Sequence, residues 1–332
     1  MAYSWIILVV PVICLSLLAS VACFLFKKWK VGASLLIVGL VLNWWTESIP
    51  LNLFNPSNSG ESFSVLTYNL HDPGGWLADH RKDPSELRDF ILGTDADIVV
   101  LEECDRDSAK VLIDMLSESY EYHHDMIPSF RNAIFSRYPL DSFSDVLLYK
   151  DGGLLDEHPD LADIEGVRPH FSYSHRLLFT VNARIAGRRI NIIGCHFPSN
   201  GFNQMLKNAK EGGFNAAADH LISAGAQREI EAYCVRKVLD SCMLAKEPVI
   251  VCGDLNDFSG SKTLRILQKD GALKDCWWER GCGLGFTFHS HGWMHFRLDH
   301  ILRTEGLKCT SVKVLKQDFS DHDALMATFE FE

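Results

Sequence analysis

Polar residues of the types used in catalysis recur where apolar segments of this sequence end. They are Asn69 after SVLTY, Glu102 and Glu103 after DIVVL, His196 after INIIGC, Asp254 and Asn256 after VIVCG, Asp299 within FRLDHIL, and Asp321 and His322 within FSDHDAL. Each alone has a simpler explanation, because an Asx residue at a strand end usually caps a turn and a single histidine is usually just hydrogen-bonded. Together, on loops that follow strands, they indicate an active site.

Two of these carboxylates suit a divalent metal ion. Glu103 and Asp321 offer hard oxygen ligands to Mg²⁺, which keeps several waters and completes its shell with substrate phosphate. Such an ion polarises a phosphoryl oxygen and screens an acidic protein from an anionic substrate. The residue types therefore favour metal-assisted cleavage of a phosphoester bond.

The remaining residues suit proton transfer and charge stabilisation. Asp254, with the adjacent amide of Asn256, can accept a proton from water and hold that water in line with the phosphorus. His322 paired with Asp299 can stabilise negative charge on the phosphoryl group. His196 is then available to protonate the leaving oxygen.

Many strands are available to position these residues. Apolar runs of the strand type occupy 64–70, 97–103, 132–137, 177–185, 188–197, 248–256, 296–303, 311–316 and 324–331. Helical patterns occupy 85–93 and 107–119, and one long helical region runs from Asn200 to Leu244. Many strands and few helices predict two packed sheets with helices outside, within a single domain over 62–332.

The N-terminus has the composition of a membrane anchor. Residues 5–26 carry no charge, and about 20 apolar residues suffice to cross a bilayer. A signal peptide would place its lysines before the apolar run, whereas here they follow it. A second uncharged segment, 31–45, would span only about 22 Å of the roughly 30 Å hydrocarbon core. We expect an anchor over 1–47 and a linker over 48–61.

The lysines between the two apolar segments bear on the side of the membrane that the domain occupies. We predict a helical hairpin with Lys27, Lys28 and Lys30 in a cytoplasmic turn, which would place the domain outside the cytoplasm. One spanning helix followed by a short embedded one would leave it inside. The ten cysteines do not decide, although Cys276 and Cys282 could pair in an exported domain.

Composition and charge exclude other classes of protein. With 47% hydrophobic residues among 332, the chain can bury a full core and is not a disordered protein. The part from Ser48 onward has 29 basic and 42 acidic residues, a net charge of −13. A broadly basic nucleic-acid binder is excluded, and a polyanion would need a local patch or a bound cation.

Several segments match one protein family in order. They are Tyr68-Asn69, 97–103 (DIVVLEE), 132–139 (NAIFSRYP), 195–197 (CHF), 253–256 (GDLN), 297–302 (RLDHIL) and 320–322 (SDH). With these segments the sequence resembles the endonuclease/exonuclease/phosphatase superfamily over about Ser64 to Phe331. The part of the pattern most specific to that superfamily is Gly-Asp-x-Asn followed by Ser-Asp-His. That superfamily includes deoxyribonuclease-like nucleases, neutral sphingomyelinases and inositol polyphosphate phosphatases. The resemblance implies an α/β four-layer sandwich of two packed mixed β-sheets flanked by helices.

The resemblance also implies a role for each residue and a Mg²⁺ or Mn²⁺ cofactor. It assigns metal ligation to Glu103 and Asp321, and a metal-shell or phosphate contact to Asn69. Asp254 and Asn256 would activate the water, and Asn256 and His322 would contact the phosphate. Asp299 would orient His322, and His196 would be the histidine that acts as the acid. Two departures stand out. Glu102 occupies a position usually held by Gln, and His71 stands where some nucleases of the family carry an acidic ligand, with Asp72 one place too late.

Other interpretations compete with this one. The spacing of His289, His291 and His295 is compatible with zinc, although Thr287-Phe288 ahead of the RLD segment fits the family's substrate loop. The same stretch carries four aromatic residues that could contact a substrate or a bilayer surface: Phe286, Phe288, Trp293 and Phe296. Elsewhere in the chain, Arg131, Arg168 and Arg176 are candidates for binding a phosphate group. The segment 199–227 is either a mobile rim or a tolerated surface loop.

The sequence is compatible with several classes of substrate. Nucleic acid, a phospholipid and a phosphorylated small molecule all fit, and no protein partner is expected. A membrane-tethered binding module with the same fold and no turnover is the alternative function. The complete set of site residues argues against it, because a module without activity should lack at least one of them.

Overall fold

The computed structural model describes residues 6–52, 60–71, 83–125, 132–147, 177–199, 202–290 and 294–332. Helices are α1 (Ile6–Leu25), α2 (Trp29–Thr46), α3 (Pro84–Thr94), α4 (Arg106–Leu116), α5 (Phe202–Leu244), α6 (Lys262–Leu267) and α7 (Cys276–Arg280). Strands are β1 (Ser62–Asn69), β2 (Ile98–Glu102), β3 (Tyr122–Asp125), β4 (Ala133–Ser136), β5 (Leu140–Leu147), β6 (Leu177–Ile185), β7 (Arg188–His196), β8 (Val249–Asp254), β9 (Lys274–Asp275), β10 (Phe288–Ser290), β11 (Met294–Phe296), β12 (Asp299–Arg303), β13 (Leu307–Leu315) and β14 (Ala324–Phe331).

Helices α1 and α2 form an antiparallel hairpin held by small residues. The Ser20 hydroxyl donates to the Gly32 carbonyl at 2.8 Å. A Cβ at Gly32 would come within 2.8 Å of the Phe24 ring, and one at Gly39 within 3.1 Å of Leu17. Small residues and hydroxyl groups let two apolar helices approach closely without a charged contact.

The outer surface of this hairpin is apolar. Of the 17 exposed large hydrophobic side chains in the described part of the chain, 14 lie between Val12 and Trp45. Helix α2 is longer than the fifteen residues that the sequence predicted, because it begins at Trp29 and continues to Thr46. Within the described residues α2 has the length and composition to cross a membrane, and the apolar stretch Val9–Leu25 of α1 is shorter.

Two six-stranded mixed sheets form the centre of the domain. The first has the order β13-β14-β1-β2-β4-β3, the second has the order β5-β6-β7-β8-β12-β9, and β10 and β11 form a separate hairpin. One cluster of buried apolar side chains lies between the sheets and includes Val65, Val100, Ile192 and Ile250. A second lies under α5 and α6, and a third under α3 and α4. The predicted four-layer sandwich is confirmed.

Several of the strands that were predicted from the sequence, such as β1, β2 and β8, are buried on both faces. Continuous apolar runs of this kind are typical of strands covered by a second layer. The short or polar strands β3, β9, β10 and β11 were not predicted, and neither was β5. The predicted long helical region is present as α5, which has a break at Gly213 and includes most of the segment for which a mobile rim or a tolerated loop had been left open.

The sheet register brings the chemically interesting residues to one edge. Parallel β1 and β2 place Asn69 beside Glu102, and parallel β7 and β8 place His196 beside Asp254. Strand β12 runs antiparallel to β8 and begins with Asp299 opposite Asp254. The carboxyl ends of four strands and the start of a fifth therefore meet at the same edge.

Gly253 allows β8 to carry Asp254 to this edge. Its backbone has φ +133°, and a Cβ would lie 1.9 Å from the Cys195 carbonyl oxygen on β7. A side chain is therefore excluded both by backbone conformation and by the neighbouring strand.

We expect Gly253→Ala to lower the free energy of unfolding by about 3 kcal/mol, since both the backbone strain and the overlap must be relieved. Gly187→Ala is the matched control: its φ is also positive (+75°) but nothing lies within 4 Å of a Cβ there, so we expect a loss of about 1 kcal/mol. Denaturant unfolding of the full chain in detergent measures both. Equal losses would contradict the packing argument.

Candidate active site

The carboxylate of Asp254 lies at the centre of the cluster. Its Oδ2 accepts hydrogen bonds from Nδ2 of Asn69 and from Nδ2 of Asn256, each at 3.0 Å, and its Oδ1 accepts the Asn256 backbone N–H at 2.8 Å. Burial raises the pKa of Asp254 to about 7, against the opposing charge of His322 and these hydrogen bonds. The carboxyl group is thus suited to accept a proton near neutral pH.

A buried ion pair of Asp299 and His322 stands beside Asp254. Nδ1 of His322 is 2.8 Å from Oδ2 of Asp299, and Nε2 of His322 is 3.7 Å from Oδ2 of Asp254. Burial opposes the charged imidazole, but the two carboxylates outweigh it and raise the pKa of His322 to about 10. Burial would raise the pKa of Asp299, and the His322 charge lowers it instead. His322 is therefore a cation at neutral pH.

The start of β10 and the residue before it hold this pair in place. The Thr287 hydroxyl oxygen accepts the backbone N–H groups of Leu298 and Asp299, both at 3.2 Å. The Phe288 ring lies 4.9 Å from the His322 ring, and the backbones of these two residues form an isolated bridge. The Asp299–His322 geometry is consequently set by backbone contacts on both sides.

A more open group of side chains lies at the mouth of the cluster. Oε2 of Glu103 is 3.6 Å from Nδ1 of His71, which is 3.9 Å from Oδ1 of Asp321. Oε1 of Glu103 is 3.4 Å from Nε2 of His196. Burial would raise the pKa of Glu103, but the contact with His71 and the charge of His196 lower it to about 2. The same contact with Glu103 raises the pKa of His71 against the effect of burial.

The chemistry of these donors fits a hard divalent cation. Glu103 stays ionised and its side chain is 22% exposed, while Asp321 is 37% exposed, so both oxygens can be reached from solvent. Among the described residues, Asp254, Asp299 and His322 form a second group, whose ligand atoms lie within 4.8 Å of one another. His322 of that group is already paired with Asp299. Accessible carboxylate oxygens such as those of Glu103 and Asp321 are the ligand type that Mg²⁺ or Mn²⁺ takes.

Glu102 and Glu103 have opposite environments. Glu102 is fully buried in the sheet, and its Oε1 accepts the Thr67 hydroxyl at 2.6 Å. Its Oε2 has no hydrogen-bond partner in the described part of the chain, and burial holds its pKa well above the usual range. Glu102 is therefore enclosed in the sheet, and of the two adjacent carboxyl groups Glu103 alone faces the open group.

Left-handed backbone occurs at three positions of this edge. Three non-glycine residues of the cluster have left-handed backbone conformations: His71 at φ +46°, Glu103 at +49° and Asn256 at +49°. Each such conformation costs on the order of 1–3 kcal/mol and persists where the surroundings enforce it. Here the backbone N–H of His71 donates to Oδ1 of Asn69 at 2.9 Å, which enforces one of them.

The histidines considered for zinc lie beside this edge. Strands β10 and β11 place His289 opposite His295, with their Nδ1 atoms 2.6 Å apart, and Nε2 of His289 is 2.5 Å from Oδ2 of Asp323. His291 falls outside the described residues, as do Asp72, Arg131, Arg168, Arg176 and Trp293. Cys276 and Cys282 remain thiols, the first buried and the second exposed.

All eight side chains to which the sequence gave a catalytic, substrate or metal role come together at one edge of the two sheets. They are Asn69, Glu103, His196, Asp254, Asn256, Asp299, Asp321 and His322. Sequence reasoning placed Thr287 in the substrate loop and not as a support of Asp299, and it gave no role to Ser320, whose hydroxyl donates to the Asn69 carbonyl at 2.8 Å. It treated His71 only as a departure from the family pattern, whereas His71 lies between Glu103 and Asp321.

Comparison with solved structures identifies the fold. A Bacteroides thetaiotaomicron endonuclease/exonuclease/phosphatase family protein superimposes with a TM-score of 0.59 at 15% identity, covering 83% of this chain and 100% of its own. Truncated Caenorhabditis elegans TDP2 gives 0.56 at 19% identity, covering 82% and 99%. A mannosyl-6-phosphatase from B. thetaiotaomicron gives 0.55 at 16% identity, covering 81% and 100%. No curated protein matches the sequence.

A sequence model of one family covers most of the chain. The model described as the endonuclease/exonuclease/phosphatase family matches residues 66–322, a range that contains all eight side chains of the cluster. Members of this family are phosphoester hydrolases and are typically dependent on divalent metals. The chain belongs to the endonuclease/exonuclease/phosphatase family.

Proposed function

We propose that this protein is a divalent-metal-dependent phosphoester hydrolase held at a membrane by its N-terminal helices. The observation that carries the proposal is the contact between Asp254 and the Asp299–His322 pair at a sheet edge that also holds Glu103 and Asp321. A base that titrates near neutrality beside a fixed cation is the arrangement that hydrolysis of an anionic ester requires.

Each residue has a role in this proposal. Asp254 accepts a proton from the attacking water, and Asn69 and Asn256 fix the direction of its oxygens through their amide groups. The His322 cation stabilises the charge that develops on the phosphoryl oxygens, and Asp299 holds its ring. His196, 21% exposed at the mouth, protonates the leaving oxygen.

A bound Mg²⁺ or Mn²⁺ would polarise the phosphoryl oxygen and offset the negative charge of the domain. Glu103 and Asp321 would hold it, with Asn69 close enough to Glu103, at 3.3 Å, to orient that carboxylate. The acidic composition makes such an ion necessary, because the substrate is itself an anion.

The hairpin supports the membrane part of the proposal. A surface of 14 exposed large apolar side chains is far more than a water-soluble domain normally presents in one place. Lys27 and Lys28 lie in the turn between α1 and α2, and Lys30 lies in the first turn of α2, away from the domain. Positive turns remain in the cytoplasm, which would place the catalytic domain on the other side.

The alternative is a membrane-tethered binding module that keeps the fold without turnover.

Proteins with this fold include one described as a mannosyl-6-phosphatase and another described as TDP2, so the fold alone does not identify the phosphoester. Nucleic acid, a phospholipid and a phosphorylated small molecule all have the phosphoryl group that the cluster recognises.

Replacement of the base tests hydrolysis directly. Asp254→Asn keeps the shape and the hydrogen-bond capacity of the side chain but cannot accept the proton, so we expect kcat to fall about 1,000-fold with an unchanged unfolding temperature. Asp318→Asn, a change of the same type at an exposed position, should leave kcat as in the wild type. Release of nitrophenol from a nitrophenyl phosphodiester with Mg²⁺ measures both. Normal turnover by Asp254→Asn would exclude this residue as the base.

The pH profile tests the same assignment. The base must be ionised, and burial raises the pKa of Asp254 to about 7, so kcat/KM should rise about tenfold per pH unit below that value. Initial rates between pH 5 and 9 at constant ionic strength measure this. A profile that is flat from pH 5 to 7 would show that no group with this pKa is required.

Membrane attachment has an independent test. We expect the full chain to stay in the membrane pellet after an alkaline carbonate wash, because helices with an apolar exterior are retained by the bilayer rather than by charge. Detergent should release it. Recovery of the protein in the carbonate supernatant, where peripheral proteins appear, would contradict the anchor.

A further inference from the structure

An apolar cavity of about 140 Å³ lies where α1 meets the catalytic domain. Val10 and Pro11 of α1 form one wall. Phe258, Phe286 and Phe296 of the domain also line it, together with the polar side chains of Ser48, Ser259 and Arg297. We call this space the junction cavity. Its volume is close to the roughly 150 Å³ of an apolar cavity that is known to bind benzene, so a group of about six carbons fits it.

A series of ring contacts connects the junction cavity with the catalytic pair. The rings of Phe258 and Phe296 are 5.3 Å apart, edge to face, and those of Phe296 and Phe288 are stacked at 6.5 Å. Phe288 in turn lies 4.9 Å from the His322 ring. Ring contacts therefore run without a break from the cavity wall to the catalytic pair.

Polar contacts connect one side of the junction cavity, at His295 and Phe286, with the catalytic segment. The His295 ring is stacked on Phe286 at 5.8 Å, and its Nδ1 is 2.6 Å from Nδ1 of His289. His289 is bound to the buried carboxylate of Asp323, which directly follows His322. The histidine pair considered for zinc thus joins that side of the cavity to the catalytic segment.

The hairpin is fixed against the domain by contacts outside the cavity. The Arg265 guanidinium lies 4.2 Å from the centre of the Trp45 ring, and the Gln268 amide donates to Glu47 at 3.1 Å. The Asn52 amide donates to the carbonyls of Trp278 and Gly281 at 3.0 and 3.1 Å. The anchor is therefore a wall of the cavity and not a flexible tether.

We propose that the junction cavity receives the apolar group of a membrane-borne phosphoester whose phosphoryl group is bound at the catalytic cluster. One wall comes from a helix whose outward face is apolar, so the cavity lies beside the bilayer that would supply the substrate. The ring series extends from that wall to His322. This inference rests on the proposed hydrolase function and names its substrate class as an amphiphilic phosphoester.

Matched esters test the inference. The full chain in lipid nanodiscs with Mg²⁺ is given 4-nitrophenyl hexyl phosphate or 4-nitrophenyl methyl phosphate, which have the same leaving group. We expect a KM for the hexyl ester about tenfold lower, because several methylene groups leave water when they enter the cavity. Val10→Trp fills the cavity and should bring the ratio of the two KM values close to one.

Val12→Trp is the control for this variant. Val12 lies on α1 but outside the cavity lining, with 44% of its side chain exposed, so the same substitution should keep the tenfold ratio. Both variants present the same bilayer to the hexyl ester, which cancels any effect of its partition into lipid. If Val10→Trp unfolds, Val10→Ala replaces it: the larger cavity should move the preference from hexyl towards octyl.

The outcomes separate the inference from the function on which it rests. Equal KM values for the two esters in the wild type would overturn the inference and leave the hydrolase standing. A hexyl preference that survives in Val10→Trp, or that disappears equally in Val12→Trp, would also overturn it. Failure of the wild type to cleave either ester would overturn the hydrolase proposal, and the inference with it.

Discussion

The site depends on one buried ion pair between Asp299 and His322, placed within 3.7 Å of a third ionisable group, Asp254. Three charges in a dry space are costly unless they neutralise one another. The pairing keeps His322 charged, and burial leaves Asp254 as the group that can exchange a proton near neutrality. The two sheets provide that dry space, and their common edge places these residues in register.

The same edge also positions the more exposed side chains of the cluster, which include Glu103 and Asp321. Glu103 directly follows β2, and its left-handed backbone turns its carboxylate towards His71 and His196, whereas Glu102 one position earlier points into the sheet. A shift of one residue moves a side chain from one face of a strand to the other. Strand register therefore decides which of two adjacent carboxyl groups is buried, with its pKa raised, and which faces the open group, with its pKa lowered.

The strands buried on both faces and the eight clustered side chains could be predicted from the sequence, because long apolar runs and family motifs are local signals. The metal, base and acid roles of those side chains stay predictions. The contribution of Thr287 could not be predicted, since it acts through backbone N–H groups eleven and twelve residues away. Docking of the hairpin was also not foreseen: the contact of Trp45 with Arg265 joins residues far apart in the chain, and nothing in either segment indicates the other.

The most direct test of the central claim is a turnover assay of the full chain in detergent, with Mg²⁺, Mn²⁺ or a chelator. The substrates are plasmid DNA, RNA, sphingomyelin, phosphoinositides and nitrophenyl phosphodiesters. The account predicts that at least one class is cleaved with metal and that cleavage stops in chelator. A folded protein that binds metal but leaves the whole panel intact would contradict it and favour the binding module.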